Sequence, residues 1–120
     1  MLWKFDTTRP VYQQIKEQFR SAVLSGQYPP GSRIPSVREL AISAKVNPNT
    51  MQRAMVELEQ EGLLVSSGTL GKFVTEEHEI LELIRKKAID DAIADAATRF
   101  RELGLSMQEA ATLLSQSKEV

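Results

Sequence analysis

The chain has 120 residues, a net charge of −1 and no cysteine, which excludes disulfides and thiolate metal sites and leaves room for one modest core with an appendage. Its N-terminus lacks a signal-peptide pattern and no apolar run approaches membrane-spanning length, so we expect a cytoplasmic protein with no membrane partner. Residues 1–75 carry nine Lys and Arg against six Asp and Glu, a net charge of +3, whereas residues 76–120 carry six against ten, a net charge of −4. The near-neutral total conceals a basic front part and an acidic back part.

The first predicted helix follows Pro10, because apolar residues recur there at helical spacing. Thr7 or Thr8 is its expected N-cap, and Gly26 is expected to end it. Its apolar face comprises Val11, Ile15, Phe19, Ala22 and Val23. Its polar face, interpreted as solvated surface, comprises Gln13, Gln14, Lys16, Glu17 and Arg20. An N-terminal lid on the core is predicted from Leu2, Trp3 and Phe5.

Two short helices joined by a tight turn are predicted after the rigid turn at residues 28–32. Ser36 and Glu39 form a capping box for the first helix. Asn47 caps the second, and Pro48 suits its first position. The inward faces comprise Val37, Leu40, Ala41, Met51, Ala54, Met55 and Leu58. The outward side chains, donors suited to phosphates and base edges, are Arg38, Asn49, Thr50, Gln52 and Arg53. The pattern predicts a helix-turn-helix whose second helix is the recognition helix.

A two-stranded hairpin is predicted at residues 63–67 and 72–75, to which residues 33–35 can add one or two rungs. A hairpin directly after a recognition helix is typical of the wing of a winged helix. Its glycines permit a tight tip that approaches a sugar-phosphate surface closely. The alternative is a hairpin that only covers the edge of the core. The candidate contacts of the wing are Gly68, Thr69, Gly71 and Lys72.

The tail is predicted to be a helical hairpin, with one helix over residues 76–103 that ends at Gly104 and a second that opens with a capping box at Ser106 and Glu109. Two helices alone cannot bury apolar faces this wide, so we expect a two-fold dimer. The alternative is that the faces fold back on the first domain. The predicted dimerisation residues are Ile80, Ile84, Ala88, Ala92, Ala96, Phe100, Leu103, Met107, Leu113 and Leu114. We thus predict a DNA-binding domain at residues 1–75 and a dimerisation tail at residues 76–120.

The sequence gives little support for a metal site, an enzyme active site or a cofactor site. His78 lies among Glu76, Glu77 and Glu79, but an acidic first helical turn explains these residues without a metal, and no further ligands are visible. No nucleophile–base pair, phosphate-binding glycine loop or dinucleotide fingerprint is present. We therefore predict no enzyme activity, no cofactor and no metal.

Residues 9–75 resemble the DNA-binding domain of GntR-type bacterial regulators. The resemblance rests on the segments at residues 10–15, 30–41, 46–50, 58–63 and 71–74. The Val-Asn-Pro-Asn-Thr segment at residues 46–50 and the short tail are similar to the YtrA-type subgroup, which has a two-helix dimerisation hairpin. The resemblance implies a mainly α fold with a small β-hairpin wing, that is, a winged helix-turn-helix domain followed by a C-terminal helical hairpin.

The resemblance also implies a homodimeric repressor that binds a two-fold symmetric operator, in this subgroup often that of a transporter operon. It makes Arg38 a phosphate- or base-contacting arginine, and it places the wing in the minor groove. Many relatives carry arginines where Pro48 and Gln52 stand here, so the operator must differ. The full predicted DNA-binding set is Arg33, Arg38, Lys45, Asn47, Asn49, Thr50, Gln52, Arg53, Gly68, Thr69, Gly71 and Lys72.

Two alternative functions remain open at this point. A protein-interaction adapter would keep the winged shape but bind a partner through the tail. An effector-responsive regulator would hold a small molecule among the tail helices, although the chain is too short for the large effector domain that most relatives carry. The polar, donor-rich outward face of the recognition helix favours DNA.

Overall fold

The computed structural model describes residues 1–117, which form two compact units. The first unit is Met1–Ile84, and the second begins at Arg85. The helices of the first unit are α1 (Val11–Leu24), α2 (Val37–Ala44) and α3 (Pro48–Gln60). They are followed by the strands β1 (Leu64–Ser66) and β2 (Lys72–Val74), and then by the helices α4 (His78–Glu102) and α5 (Met107–Gln116). The mainly α fold with one small hairpin confirms the predicted fold class.

The caps of α2 and α3 are those that the sequence predicts. The side chain of Ser36 accepts a hydrogen bond from the Glu39 backbone, and the Glu39 carboxylate accepts one from the Ser36 backbone, which completes the capping box. The side-chain oxygen of Asn47 accepts a hydrogen bond of 2.7 Å from the backbone N–H of Asn49. Each cap satisfies N–H groups that have no partner within the helix. The two helices therefore begin where local chemistry places them.

The predicted cap of α1 is wrong. The N-cap position is Pro10, and no side chain caps the helix. Thr8 instead donates from both its backbone N–H and its hydroxyl to the carboxylate of Asp6. Because the Thr8 hydroxyl is bonded to Asp6 in this local turn, it does not cap the first N–H groups of α1.

The core of the first unit lies between α1, α2, α3 and the hairpin. Phe19 at its centre is fully buried and stacks on Tyr28, with ring centroids 5.1 Å apart. Burial of a large apolar side chain such as Phe19 contributes roughly 1.5–3 kcal/mol to the free energy of unfolding, so the buried cluster as a whole dominates the stability of the unit. The buried cluster comprises Ile15, Phe19, Val23, Ile34, Leu40, Ala41, Ala44, Met51, Ala54, Met55, Leu58, Leu63, Leu64 and Val74.

Gln14 is buried, although the sequence pattern places it on the polar face of α1. Only 2% of its surface is exposed. Its amide accepts a hydrogen bond from the backbone N–H of Asp6 and donates to the carbonyl oxygens of Asp6 and Arg9. The side chain thus satisfies backbone groups of the N-terminal segment, which is why a polar residue stands inside.

The predicted N-terminal lid is confirmed for Trp3 and Phe5 and wrong for Leu2. Trp3 and Phe5 pack against the core and stack on each other, with ring centroids 5.9 Å apart. The indole N–H of Trp3 also donates to the hydroxyl of Ser43 in α2. Leu2 is 95% exposed. Backbone alternation explains the difference, because successive side chains of an extended segment point to opposite sides.

The wing is an antiparallel hairpin in which Val65 pairs with Phe73. Its strands are shorter than the predicted segments at residues 63–67 and 72–75. Residues 33 and 34 add the rungs expected of them, since Arg33 forms a bridge with Phe73 and the N–H of Ile34 donates to the carbonyl of Lys72. This third segment ties the hairpin to the start of the helix-turn-helix.

The first compact unit extends to Ile84. The domain boundary predicted from the sequence lies after residue 75. The difference arises because Leu81 and Ile84 in the first turns of α4 pack against the core. A Cβ atom at Gly62 would lie 3.4 Å from the Ile80 side chain. The beginning of α4 therefore completes the winged domain.

The second unit contains the remainder of α4 and α5. The capping box of Ser106 and Glu109 opens α5 as predicted. Ala110 of α5 is buried. Large apolar side chains of this unit remain exposed, namely Ile89, Ile93, Leu103, Met107, Leu113 and Leu114. Along residues 1–117, no helix combines the length and the apolarity that crossing a membrane requires.

Candidate nucleic-acid interface

Helix α3, the predicted recognition helix, has one buried face and one exposed face. Met51, Ala54 and Met55 are fully buried beneath it, while Asn49 and Gln52 are exposed. Packing of the inner face fixes the rotation of the helix, so the outer face is presented at a defined angle. Backbone fixation by packing is what allows short polar side chains to read base edges.

The turn between α2 and α3 depends on Lys45. This residue has a φ of +57°, in the left-handed region, and forms the C-cap of α2. Its backbone N–H bonds to carbonyl oxygens at the end of α2, which reverses the chain within a few residues. The Lys45 side chain is exposed at this corner.

The structure places the predicted DNA-binding residues on three neighbouring elements, the helix-turn-helix, the turn before it and the wing. Exposed members are Arg33, Arg38, Lys45, Asn47, Asn49, Gln52, Arg53, Gly68 and Thr69. Partly buried members are Thr50, Gly71 and Lys72. None is in the core. Asn47 has its side-chain oxygen engaged as the α3 cap, which leaves its amide nitrogen as the donor.

The wing tip is a short 3₁₀ turn at Gly68–Leu70. The backbone N–H of Ser67 donates to the carbonyl of Gly71 at 2.9 Å, which closes the tip. Gly71 has a φ of +109°, and a Cβ atom there would lie 3.2 Å from Nε of Arg33. Glycine at this position therefore both permits the backbone angle and leaves room for the Arg33 side chain.

Lys72 is paired within the protein. Its Nζ lies 2.9 Å from Oε2 of Glu59 in α3. Hydrogen bonds from the Ser66 hydroxyl and from Lys72 hold the pKa of Glu59 below its usual range. The contact joins the second strand of the wing to the recognition helix.

Six side chains contact one another along the line where α1 meets α3, a set here called the α1–α3 seam, and these contacts were not predicted from the sequence. Lys16 pairs with Glu57 and Glu61, and Arg20 pairs with Glu61. These cations are therefore not part of a solvated face, as the sequence pattern had suggested. The matching four-residue spacing in the two helices was the available signal. The seam comprises Tyr12, Lys16, Arg20, Arg53, Glu57 and Glu61.

The predicted dimerisation residues divide between the two units. Ile80 and Ile84 belong to the first unit, where Ile84 packs against the core. The other eight belong to the second unit. Exposed among those eight are Ala92, Leu103, Met107, Leu113 and Leu114. Partly buried are Ala88, Ala96 and Phe100.

His78 and its acidic neighbours form no cluster suited to a metal. Within residues 1–117, the structure contains no group of three or more His, Asp and Glu side chains placed to hold an ion. His78 and Glu79 lie in the first turn of α4. Carboxylates in a first turn interact favourably with the helix dipole.

The hairpin beside a three-helix core and the exposed recognition helix define a winged helix-turn-helix protein. The sequence profile of the gntR family of bacterial regulatory proteins matches residues 11–74, which are more than half of the chain. The chain belongs to this family. It is a transcriptional regulator with a DNA-binding domain, and the family membership confirms the prediction that it is not an enzyme.

Three comparisons place the chain within the family. The transcriptional repressor YtrA of Bacillus subtilis is 40% identical over 70 residues, which cover 58% of this chain and 54% of YtrA. This similarity confirms the predicted relationship to the YtrA-type subgroup. A GntR family transcriptional regulator from Listeria monocytogenes superposes with a TM-score of 0.85 at 28% identity, covering 95% of this chain and 100% of that one. The DNA-binding domain of AraR in complex with operator ORE1 superposes with a TM-score of 0.54 at 30% identity, covering 62% of this chain and 94% of that one.

Proposed function

We propose that this chain is a dimeric repressor that binds a two-fold symmetric operator in double-stranded DNA in the cytoplasm. The observation that carries the proposal is the outer face of α3, where Asn49 and Gln52 are exposed over a fully buried inner face. Exposed amide side chains on a helix held at a defined angle suit the donor and acceptor pattern of the major groove. The similar AraR DNA-binding domain was solved in complex with operator ORE1, which supports DNA as the ligand of this fold.

In this proposal the basic side chains around the recognition helix hold the DNA backbone. Arg33, Arg38 and Lys45 are exposed on elements that flank α3. Contacts of this kind set the register of a protein on the duplex and supply most of its salt-dependent affinity. Amides at Asn49 and Gln52 then discriminate between bases, and the wing tip at Thr69 approaches the adjacent sugar-phosphate surface.

The dimer is proposed from the exposed apolar side chains of the second unit. Ile93 is 62% exposed and Leu114 is 50% exposed. Several large exposed apolar side chains on one small unit are typical of a protein interface. A second copy would cover this surface and bring a second recognition helix to the next major groove, about 34 Å along the duplex. Repression is proposed from the name of the similar YtrA protein.

A salt titration of DNA affinity tests the proposal. We expect binding to a duplex selected from a random pool to weaken steeply as salt rises, because several phosphate contacts release counterions. An adapter that binds another protein would select no sequence from the pool and would show no such slope. That result would overturn the proposal. A thermal shift assay against small molecules and metals tests separately for an effector bound in the tail.

A further inference from the structure

The guanidinium of Arg53 is held on two sides by other side chains. Its central carbon lies 3.6 Å from the centroid of the Tyr12 ring, so one face of the group is covered. Its Nε donates to Oε2 of Glu57 at 3.2 Å. The Tyr12 contact is a cation–π arrangement, and Glu57 lies one helical turn further along α3. The side chain is nevertheless 60% exposed.

Glu57 is itself fixed from the opposite side. Its other carboxylate oxygen, Oε1, lies 3.0 Å from Nζ of Lys16 in α1. Hydrogen bonds from Lys16 and Arg53 hold the pKa of Glu57 below its usual range. A carboxylate anchored through both oxygens has little freedom to rotate, so it restrains Arg53 in turn.

This arrangement leaves one edge of the guanidinium available. Arginine has five N–H donors, of which the Nε–H bonds to Glu57. Within residues 1–117, the terminal nitrogens of Arg53 make no hydrogen bond. The two terminal nitrogens form a planar fork that matches two acceptors side by side. The fork is therefore oriented by the protein before any ligand arrives.

We propose that Arg53 reads a guanine through this fork and that Tyr12 and Glu57 are positioning residues that orient it. The inference rests on the proposed binding of double-stranded DNA. Guanine O6 and N7 in the major groove are the acceptor pair that such a fork fits. A phosphate is the less suitable target, because the nearby Glu57 carboxylate offsets the positive charge that attracts phosphates from a distance. An oriented fork strengthens only those hydrogen bonds whose acceptors lie in its plane, and the edge of a base offers acceptors in that arrangement.

The test combines sequence selection with 7-deazaguanine, which lacks the N7 acceptor. Duplexes selected by the wild-type chain are expected to contain a guanine at one position of each half-site that depends on Arg53. Replacing that guanine by 7-deazaguanine should weaken wild-type binding, and removing the fork with Arg53→Ala should weaken it by roughly 5- to 150-fold on the selected duplex. In Arg53→Ala the further effect of 7-deazaguanine should vanish.

Variants at Tyr12 and Glu57 test the positioning roles. Tyr12→Leu and Glu57→Gln should both lower the preference for guanine over adenine at that position. Tyr12→Leu should leave affinity for random DNA within about 2-fold, and Glu57→Gln, which removes a carboxylate, should not lower it. Tyr12→Phe, which retains the ring, should restore the selectivity that Tyr12→Leu loses. Arg20→Ala is the matched control, since it breaks an ion pair of the α1–α3 seam two helical turns away and should leave the guanine preference intact.

The outcomes separate this inference from the proposed function. If the wild-type chain selects no DNA sequence, the proposed function fails. If it selects an operator whose guanines are insensitive to Arg53→Ala, only the guanine reading fails. A uniform loss on specific and random DNA with a smaller salt slope would make Arg53 a phosphate contact and overturn the inference. Unchanged selectivity in both Tyr12→Leu and Glu57→Gln would overturn the positioning roles.

Discussion

Lys72 of the wing and Glu59 of the recognition helix form an ion pair, with 2.9 Å between Nζ and Oε2. Lys72 is the only basic residue in the segment 63–75, so in the proposed complex the Glu59 carboxylate competes with DNA for the positive charge of the wing. We expect Glu59→Gln to raise affinity for DNA at low salt by on the order of 2- to 5-fold, because the competing pair is lost. Fluorescence anisotropy with a labelled duplex measures the effect.

The control for this prediction is Glu102→Gln, which removes an exposed carboxylate at the end of α4. It should raise affinity much less than Glu59→Gln does. Equal affinities of the wild type and Glu59→Gln would show that Lys72 does not contact DNA.

Replacement of Arg38 and replacement of Gln52 are expected to change DNA binding in different ways. Arg38→Ala should weaken binding to specific and random DNA alike and lower the salt slope by about one unit per half-site, since a phosphate contact is lost. Gln52→Ala should instead relax base preference, at a cost of roughly 1–3 kcal/mol at one position of each half-site. Selection from a randomised site, repeated at two salt concentrations, distinguishes them. If Arg38→Ala altered only sequence preference, the phosphate role would be wrong.

The exposed apolar side chains of the second unit are expected to form the dimer interface. Ile93→Glu places a charge among apolar side chains that a second copy would cover, so we expect it to yield monomers by light scattering and to lose affinity for a duplex with two half-sites. Ala94→Glu is the matched control, because Ala94 lies on the polar side of α4, with Lys87, Asp91 and Thr98. A wild-type chain that is monomeric at micromolar concentration would contradict the proposed dimer.

Gln14 is expected to matter for stability rather than for binding. Gln14→Leu removes the partners of the Asp6 N–H and of the carbonyl oxygens of Asp6 and Arg9. Loss of partners by such partly buried groups costs roughly 1–3 kcal/mol of unfolding free energy, measurable by urea denaturation. The neighbouring exposed Gln13→Leu should change stability by less than about 0.5 kcal/mol. Similar values for the two variants would contradict the role assigned to Gln14.

The pH dependence of stability should include a contribution from Glu57. Its pKa in the folded protein is lower than the ordinary value of 4.5, chiefly because of the hydrogen bond from Lys16. The unfolded chain therefore binds more protons as the pH falls below 4.5, so the contribution of this group is present above that pH and is lost as the pH falls through the folded pKa. Denaturation of wild type and Glu57→Gln should give stability curves that converge at low pH. Parallel curves down to pH 3 would contradict the prediction.

Elements governed by neighbours within four residues were predictable from the chain alone. The capping boxes at Ser36 and Ser106 and the cap at Asn47 are local, and each was confirmed. The hairpin was also predictable, because two β-rich segments bracket a glycine turn. Thr8 was the exception among the caps, since Asp6 offered its hydroxyl a nearer acceptor.

The sequence by itself determined which residues enter helices, which faces of α2 and α3 are apolar, and which polar side chains are presented on the outer face of the recognition helix. These follow from periodicity and capping, which depend on short-range chemistry. Only the tertiary structure decided the pairing of Lys16 with Glu57, of Lys72 with Glu59, and of Tyr12 with Arg53. Each of those contacts joins elements that are separate in the chain, so it depends on how the helices and the hairpin pack together, which no local pattern encodes.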